Sequence, residues 1–462
     1  MKILNSKDLL QLMNNATENR IKVNDFEIDI EDHLDINLNI DSIEFNNCFF
    51  KGGRIDFYDF VRNDDIKDQF CSLSFVDCIF GNDLYIKNCC LYSLEFKNVH
   101  ILSNNFSISS SDISRISIVG SPGRYNKIFC LTLNGLSFKK TSIDIRLNEF
   151  EGMIFINNCI FREVTINANI IDKINISGSI FEESFNFWRN QLISESFIKN
   201  CSFNELKGDH SNYGQSMNFN DTKFLGNCNF ERIQNRRTLF KFSKCNFDKY
   251  IYFDKSDIYE ISFDTVFFKE IVSFQNLNCD KIKLNRTHFD KVAFFNDLHI
   301  RNPDNCDLKT IRLIKNHLLK VENKIDYLKY SAIEHNNLLR SSKLNINDRI
   351  LLNLNKQSND FGNNWILGIK FTIKRGVQFF LLLLIVNNFV ISKYPLSLNF
   401  KGEIASYSQI LTEFLKFIFS LGFDNKEIQS NGFLYLIFIA AKIFIGYGIY
   451  QTISAFRKYG KS

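Results

Sequence analysis

The stretch from Leu73 to Val99, LSFVDCIFGNDLYIKNCCLYSLEFKNV, constrains this chain more than any other feature. Set in fives it reads Leu73-Ser-Phe75, Val-Asp, Cys78-Ile-Phe80, Gly-Asn, then after one extra residue Leu84-Tyr-Ile86, Lys-Asn, Cys89-Cys-Leu91. Alternate side chains of an extended chain share a face, so the first and third residues of each unit point the same way. The polar pair that follows turns a corner. The pattern describes a chain that bends at regular intervals and keeps one face inward.

The register extends far beyond this stretch. Ile43-Glu-Phe45 leads to Cys48-Phe-Phe50, and Ile154-Phe-Ile156 to Cys159-Ile-Phe161, Val164-Thr-Ile166 and Ile174-Asn-Ile176. Phe240-Lys-Phe242, Cys245-Asn-Phe247, Ile251-Tyr-Phe253 and Ile261-Ser-Phe263 continue it. Breaks at Gly52–Phe70, Gly120–Tyr125, Gly208–Ser216 and Glu231–Thr238 read as loops leaving a stack. Self-similarity of this kind signals a solenoid, in which each repeat buries its inner face by stacking on its neighbours. The 49 Phe and only 3 Pro suit stacked strands, because Pro removes ladder donors. Asn47, Asn88, Asn158 and Asn200, each just before a Cys, read as corner residues, since Asn tolerates tight turns.

The units resemble the pentapeptide-repeat family over about residues 43–300. The resemblance implies right-handed, four-sided β-helical coils of four units each. With coils stacked about 4.8 Å apart, such a rod is roughly 60 Å long. Ile, Leu and Phe often stand where that family has a small first residue.

Twelve cysteines invite a disulfide framework, but Cys48, Cys78, Cys89, Cys159, Cys201 and Cys245 all take the first, inward place of a unit. Cys behaves there as a small hydrophobe. Reduced thiols in a cytoplasmic setting follow. A net charge of +5, and interleaved Lys and Asp as in NFDKYIYFDKSD, argue against a nucleic-acid partner or an acidic DNA-mimicking rod. There is no phosphate loop, no nucleophile elbow, no zinc motif, and no histidine paired with carboxylates at ligand spacing. The chain is therefore read as a non-enzyme without metal or cofactor.

From Leu308 the period changes to three and four, with Ile311, Ile314, Leu318, Val321 and Ile325 forming one stripe of amphipathic helix. Further on, GVQFFLLLLIVNNFVI (376–391) and GFLYLIFIAAKIFIGYGI (432–449) lack acidic residues, and with their flanks each is long enough to cross a bilayer. Lys370, Lys374 and Arg375 precede the first; Arg457, Lys458 and Lys461 follow the second. By the positive-inside rule both ends face the cytoplasm, and Trp365 suits the membrane interface. Asp348 to Gly376 resembles the juxtamembrane segment of bacterial pentapeptide-repeat membrane proteins.

Between the spans, Ile410, Phe414, Phe417 and Ile418 suggest a short helix dipping into the membrane. A span, a half-buried helix, a Gly-containing turn and a second span is the order of two-transmembrane pore-loop ion channels. Ser420-Leu421-Gly422-Phe423-Asp424 resembles the potassium-channel filter, with Asp424 where that family has its second Gly. The substitution withdraws support for potassium selectivity. Gly446 and Gly448 mark either a gating bend or close helix packing. Lys442 either snorkels or faces a wet interior, and a pore-facing Lys opposes cations.

The expected architecture is thus mainly β solenoid (a degenerate pentapeptide-repeat, right-handed β-helix), followed by an α-helical linker and a two-helix transmembrane domain. Its parts are an N-terminal cap of short helix and strands (1–42), the β-helix (43–300), the amphipathic linker (301–360) and the transmembrane domain (361–462). Spans are placed at about 373–393 and 432–454, with the half-buried segment at about 406–423. The expected role is a cytoplasmic sensing or assembly rod on an oligomeric, pore-like domain in a bacterial inner membrane. The alternative is a non-conducting, membrane-anchored scaffold. Partners are the lipid bilayer, further copies of the chain and a cytoplasmic protein.

Overall fold

The computed structural model describes all residues except 1, 15–19, 37–40, 59–70, 137–140, 341–343, 387–406, 420–430 and 458–462. The chain divides into two compact units, Met1–Leu313 and Ile314–Ser462.

The first unit is a parallel β-solenoid of about 12 turns. Among the described residues, a typical coil contributes two short runs to each of two parallel sheets. Around one coil, Phe247 pairs with Phe268 and Ile251 with Val272 in one sheet, then Ile258 with Cys279 and Ile261 with Ile282 in the other. Side-chain bonds between stacked corners such as Asn98–Asp77 and Asn285–Asp264 span 21 residues, one coil. Irregular stretches of the repeat are absorbed as register shifts, for example between Asn235 and Leu239 within the break at Glu231–Thr238.

The five-residue rule works because the corner has a fixed conformation. Asn47, Asn88, Asn158 and Asn200 all lie in the left-handed region, with φ between 50° and 54°. Asn reaches that region cheaply through local side-chain bonding. The position recurs through Asp221, Arg232, Lys244, Lys255, Thr265, Asn276 and Arg286, two corners per coil. Inside, the third-place residues stack in columns. Phe181, Phe203, Phe224, Phe247, Phe268 and Phe289 form one, with centroids 4.3–5.6 Å apart and rings within 17° of parallel. Phe230, Phe253, Phe274 and Phe295 form another. Rings of different columns meet edge-on, as Phe242 does with Phe247 at 66°. Both geometries suit the ring quadrupole. The coil repeat thus imposes stacking along the axis and T-shaped contact across it.

A buried polar ladder runs through the same core. Asn126 donates to Asn148 Oδ1 at 2.6 Å, Asn148 to Asn169 Oδ1 at 2.9 Å, and Asn169 to Asn190 Oδ1 at 3.0 Å. The Oδ1 atoms of Asn126, Asn169 and Asn190 each also accept a backbone N–H from the preceding coil, as Asn169 does from Asn148 at 2.9 Å. These amides therefore satisfy corner groups that no strand reaches, which makes burial of four asparagines tolerable.

Three expectations need correction. The ladder begins in the segment assigned to a cap: Lys2–Asn5 pairs with Phe26–Asp29, and Arg20–Asn24 with Ser42–Asn46. Its alternating burial was too short-lived in sequence to show the fivefold register. Helix α1, Ser6–Asn14, is the short helix of that segment and buries Leu9 and Met13. Second, three of the four breaks do not leave the stack over their described residues. Gly52–Tyr58, Asn212–Tyr213 and Gln234–Thr238 lie in paired strands, because bulges and an inward Tyr213 replace the usual unit. Gly120–Tyr125 is a turn closed by Ser121 and Arg124. Third, three histidines do meet carboxylates, His33 with Asp35, His210 with Asp209 and His288 with Asp290. His33 and Asp35 lie two apart on one strand and so share a face.

At the rod's C-terminal end the first residues of α2 (Leu308–Lys320) meet the ladder edge. The backbone N–H of Leu284, at the open ladder edge, donates to Thr310 Oγ1 at 2.9 Å. Ile311, Ile314 and Leu318 of the predicted stripe are buried, whereas Ile325 is exposed. The stripe ends with the helix.

The second unit continues with α3 (Lys324–Arg340), α4 (Ile346–Asn359), α5 (Trp365–Val386), α6 (Tyr407–Phe419) and α7 (Gly432–Phe456). Helix α5 begins ahead of the predicted span at 373–393, whose last part lies outside the described residues. Helix α7 covers the second span.

Candidate functional site

The helical unit holds the arrangement most distinctive of this chain. Helices α5 and α7 run antiparallel: Trp365 stacks on Phe456 at 4.8 Å, and Phe379 on Phe444 at 5.6 Å. Small residues let them approach. A Cβ on Gly368 would lie 2.4 Å from Thr452 Oγ1, and one on Gly448 would lie 2.3 Å from Thr372 Oγ1. Gly448 is therefore a packing glycine. Gly446 faces open space, and α7 is helical on both sides of it.

Helix α6, with 13 residues, is too short to span a bilayer. Phe417 and Ile418 are buried in one apolar cluster with Leu383 of α5 and Leu434, Ile437, Phe438, Ala441 and Ile445 of α7. Phe414 packs against the cluster from its edge. Lys442 of α7 donates from Nζ to the backbone carbonyl of Phe417, near the C-terminal end of α6. Its ammonium also lies 5.4 Å from the ring centre of Phe417 and 5.2 Å from that of Phe438. A helix C-terminus carries partial negative charge, and aromatic faces attract cations. The one charge in the apolar run of α7 is thus held by α6.

Trp365 and Arg457 sit at the same end of the α5–α7 pair. Lys374 and Arg375 lie within α5; Arg375 donates to Gln378 and rests 5.7 Å from the Phe444 ring centre. Ser420, Leu421, Gly422, Phe423, Asp424 and Lys458 fall outside the described residues.

Sequence reading missed a polar clasp between α4 and α7. Tyr447 donates its hydroxyl to Asn355 Oδ1 at 2.5 Å, and Gln451 Nε2 donates to the same oxygen at 3.1 Å. Asn359 donates to the side-chain and backbone oxygens of Gln451. The signal was present: Asn355 and Asn359, and Tyr447 and Gln451, are polar pairs four residues apart, which places each pair on one helix face.

On the rod, His33, Asp35 and Asp56 bring ligand atoms within 4.8 Å of one another. Arg54 forks onto the Asp56 carboxylate and Lys87 lies 3.8 Å from it, so resident cations already neutralise the group. A shallow groove of about 430 Å³ is lined by Glu163, Glu183, Ser184, Asn204, Glu205, Gly226 and Asn227. Arg162 and Lys207 pair with two of its carboxylates. All twelve cysteines are free. Burial pushes the Cys159 and Cys201 thiols up to about 11 and Cys245 up to about 12, so they remain protonated at neutral pH.

Comparisons with family models, curated proteins and solved structures return no match. The fold itself defines the class: a parallel β-solenoid followed by helices, one of which is long and apolar enough to cross a membrane.

Proposed function

We propose that this chain is a membrane-anchored scaffold, which holds a β-solenoid rod at the cytoplasmic face of a bacterial inner membrane and gathers protein partners or further copies there. The observation that carries the reading is the exposure of α7. Its most apolar 18-residue window has a mean hydropathy of 1.9, yet only 28% of that window is buried. A core helix of a soluble protein buries most of such a surface. Beside it, α5 exposes Ile366, Ile369, Ile373, Val377, Leu381 and Ile385 along one face. The antiparallel pairing brings Trp365 and Arg457 to one end of the pair, and the protonated thiols suit a reducing compartment. The chain acts without chemistry of its own, bound metal or cofactor, and without nucleic acid.

A second reading is an oligomeric pore, and α6 favours it, because a half-length helix seated between two long ones has the pore-loop order. Lys442 bears on that reading. In a cation pore the C-terminal end of the half-helix faces the ion, whereas here an ammonium occupies it. A pore built this way favours anions.

The test is electrical and hydrodynamic. Purified protein in planar bilayers is expected to pass no current and to run as a monomer or dimer in mild detergent. Steady currents from a larger oligomer, altered by Gly422→Ala or Asp424→Ala, would overturn the scaffold reading in favour of the pore.

A further inference from the structure

Helix α4 carries a surface that neither reading has used. At about 100° per residue, Ile346, Ile350 and Leu354 fall within an arc of about 80°. Ile346 is 78% exposed and Ile350 55%, while Leu354 is half-buried. Gln357 ends the stripe a turn further on. Arg349 and Lys356 share one flank of it, and both are exposed. Asn355 and Asn359 lie on the opposite side, where they hold Tyr447 and Gln451 of α7. One side of α4 is therefore fixed to the end of a membrane-length helix, and the other presents large apolar side chains beside two cations.

We propose that α4 is an interfacial helix whose Ile346–Ile350–Leu354 stripe lies in the headgroup and acyl boundary of the bilayer, with Arg349 and Lys356 at anionic headgroups. The inference rests on the membrane reading of α5 and α7. Three observations select lipid as the occupant. The clasp holds α4 at the end of α7 that carries Tyr450, Ile453 and Phe456, all exposed. The exposed apolar face of α5 starts at Ile366, a few residues beyond the end of α4, so the two apolar surfaces are close in sequence within the same unit. The flanking charges have the sign that anionic lipid headgroups recruit, and amphipathic helices with basic flanks bury their apolar face about 5–10 Å into this boundary. Asp348 is the acidic residue in the first turn of α4. It falls roughly opposite the stripe, toward the clasp side.

The full chain in nanodiscs containing phosphatidylglycerol provides the test. Ile350→Trp is placed in a background carrying Trp188→Phe and Trp365→Phe, and Leu381→Trp in the same background reports on the lipid-facing side of α5. Lipids brominated on their acyl chains are expected to quench both tryptophans, and bromines near the headgroup should quench position 350 more strongly than bromines deep in the chain. Quenching at 381 with none at 350, and ready access of acrylamide to 350, overturns the proposal while leaving the membrane reading intact. Protection of 350 from both quenchers means that protein covers the stripe, which also overturns it. No quenching at 381 removes the membrane reading and this proposal together. Should the Phe background fail to fold, the same quenching is read as the increment over wild-type emission.

Discussion

The two units of this chain bury opposite things. Among the described residues, the solenoid unit leaves 13 large apolar side chains exposed, scattered over about 12 turns. The shorter helical unit leaves 24 exposed, and on α5 they line up at helical spacing as Ile366, Ile369, Ile373, Val377, Leu381 and Ile385. In the solenoid the stacked coils satisfy the apolar face. In the helical unit one apolar cluster around Phe417 and Phe438 is joined by contacts of small and polar residues, such as Gly448 against Thr372 and Gln451 against Asn359, and a row of large apolar groups is left outside. The first arrangement suits water outside, the second lipid. Hydrophobicity alone does not distinguish them; which side chains the packing consumes does.

The largest effect that would break this contrast lies in the rod. Phe242 is fully buried and meets Phe219, Phe247 and Phe263. Phe242→Ala is expected to cost about 3–5 kcal/mol in denaturant unfolding followed through Trp188, whereas Phe267→Ala, at a 47% exposed position, should cost under about 0.5 kcal/mol. Equal costs at the two sites would mean that the columns do not carry the core.

Next comes a pH effect in the helical unit. Burial, aided by Lys320, pushes the His317 imidazole down to about 4. The unfolded chain, at about 6.5, binds that proton more readily, so the native state is favoured in full above pH 6.5 and loses ground as pH falls toward 4. The expected loss is up to about 3 kcal/mol. His317→Gln should remove that component from the difference in unfolding midpoint between pH 7 and pH 4.5, and an unchanged difference would refute it.

A smaller effect separates the two glycines of α7. Gly448→Leu should lower thermal stability in detergent by about 1–3 kcal/mol through overpacking against Thr372 and Phe371. Gly446→Leu, with open space around it, should change little. The smallest effect is a gain. Thr265 occupies a left-handed corner at φ 58°, where a β-branched residue is strained. Thr265→Asn is expected to stabilise the rod by about 1 kcal/mol, read as a raised unfolding midpoint.

The sequence was legible wherever one unit repeated. Inward Phe and Cys, the Asn corners and the solenoid itself follow from a five-residue rule that each coil restates, and Cys48 and Cys245 are buried as that rule requires. It failed where a residue's partner lies a coil away or in another helix. The Asn126–Asn190 ladder looks polar in sequence and becomes tolerable only when the next coil supplies an acceptor. The bonding of Lys442 to Phe417, and the Asn355–Tyr447 clasp, join segments 25 and 92 residues apart, which no local period encodes. In the helical unit, composition and spacing gave the helices, but their contacts depend on which small residue faces which.

The coil repeat of 21 residues has one further consequence. Because the ladder of each coil pairs with the coils next to it, the rod behaves as a ruler graduated in steps of about 4.8 Å. Excising a whole repeat shortens it by one graduation and leaves both ends as they were. Removing one residue fewer reverses inside and outside for everything downstream until a bulge absorbs the error, so reach is a property this chain can change only in whole increments.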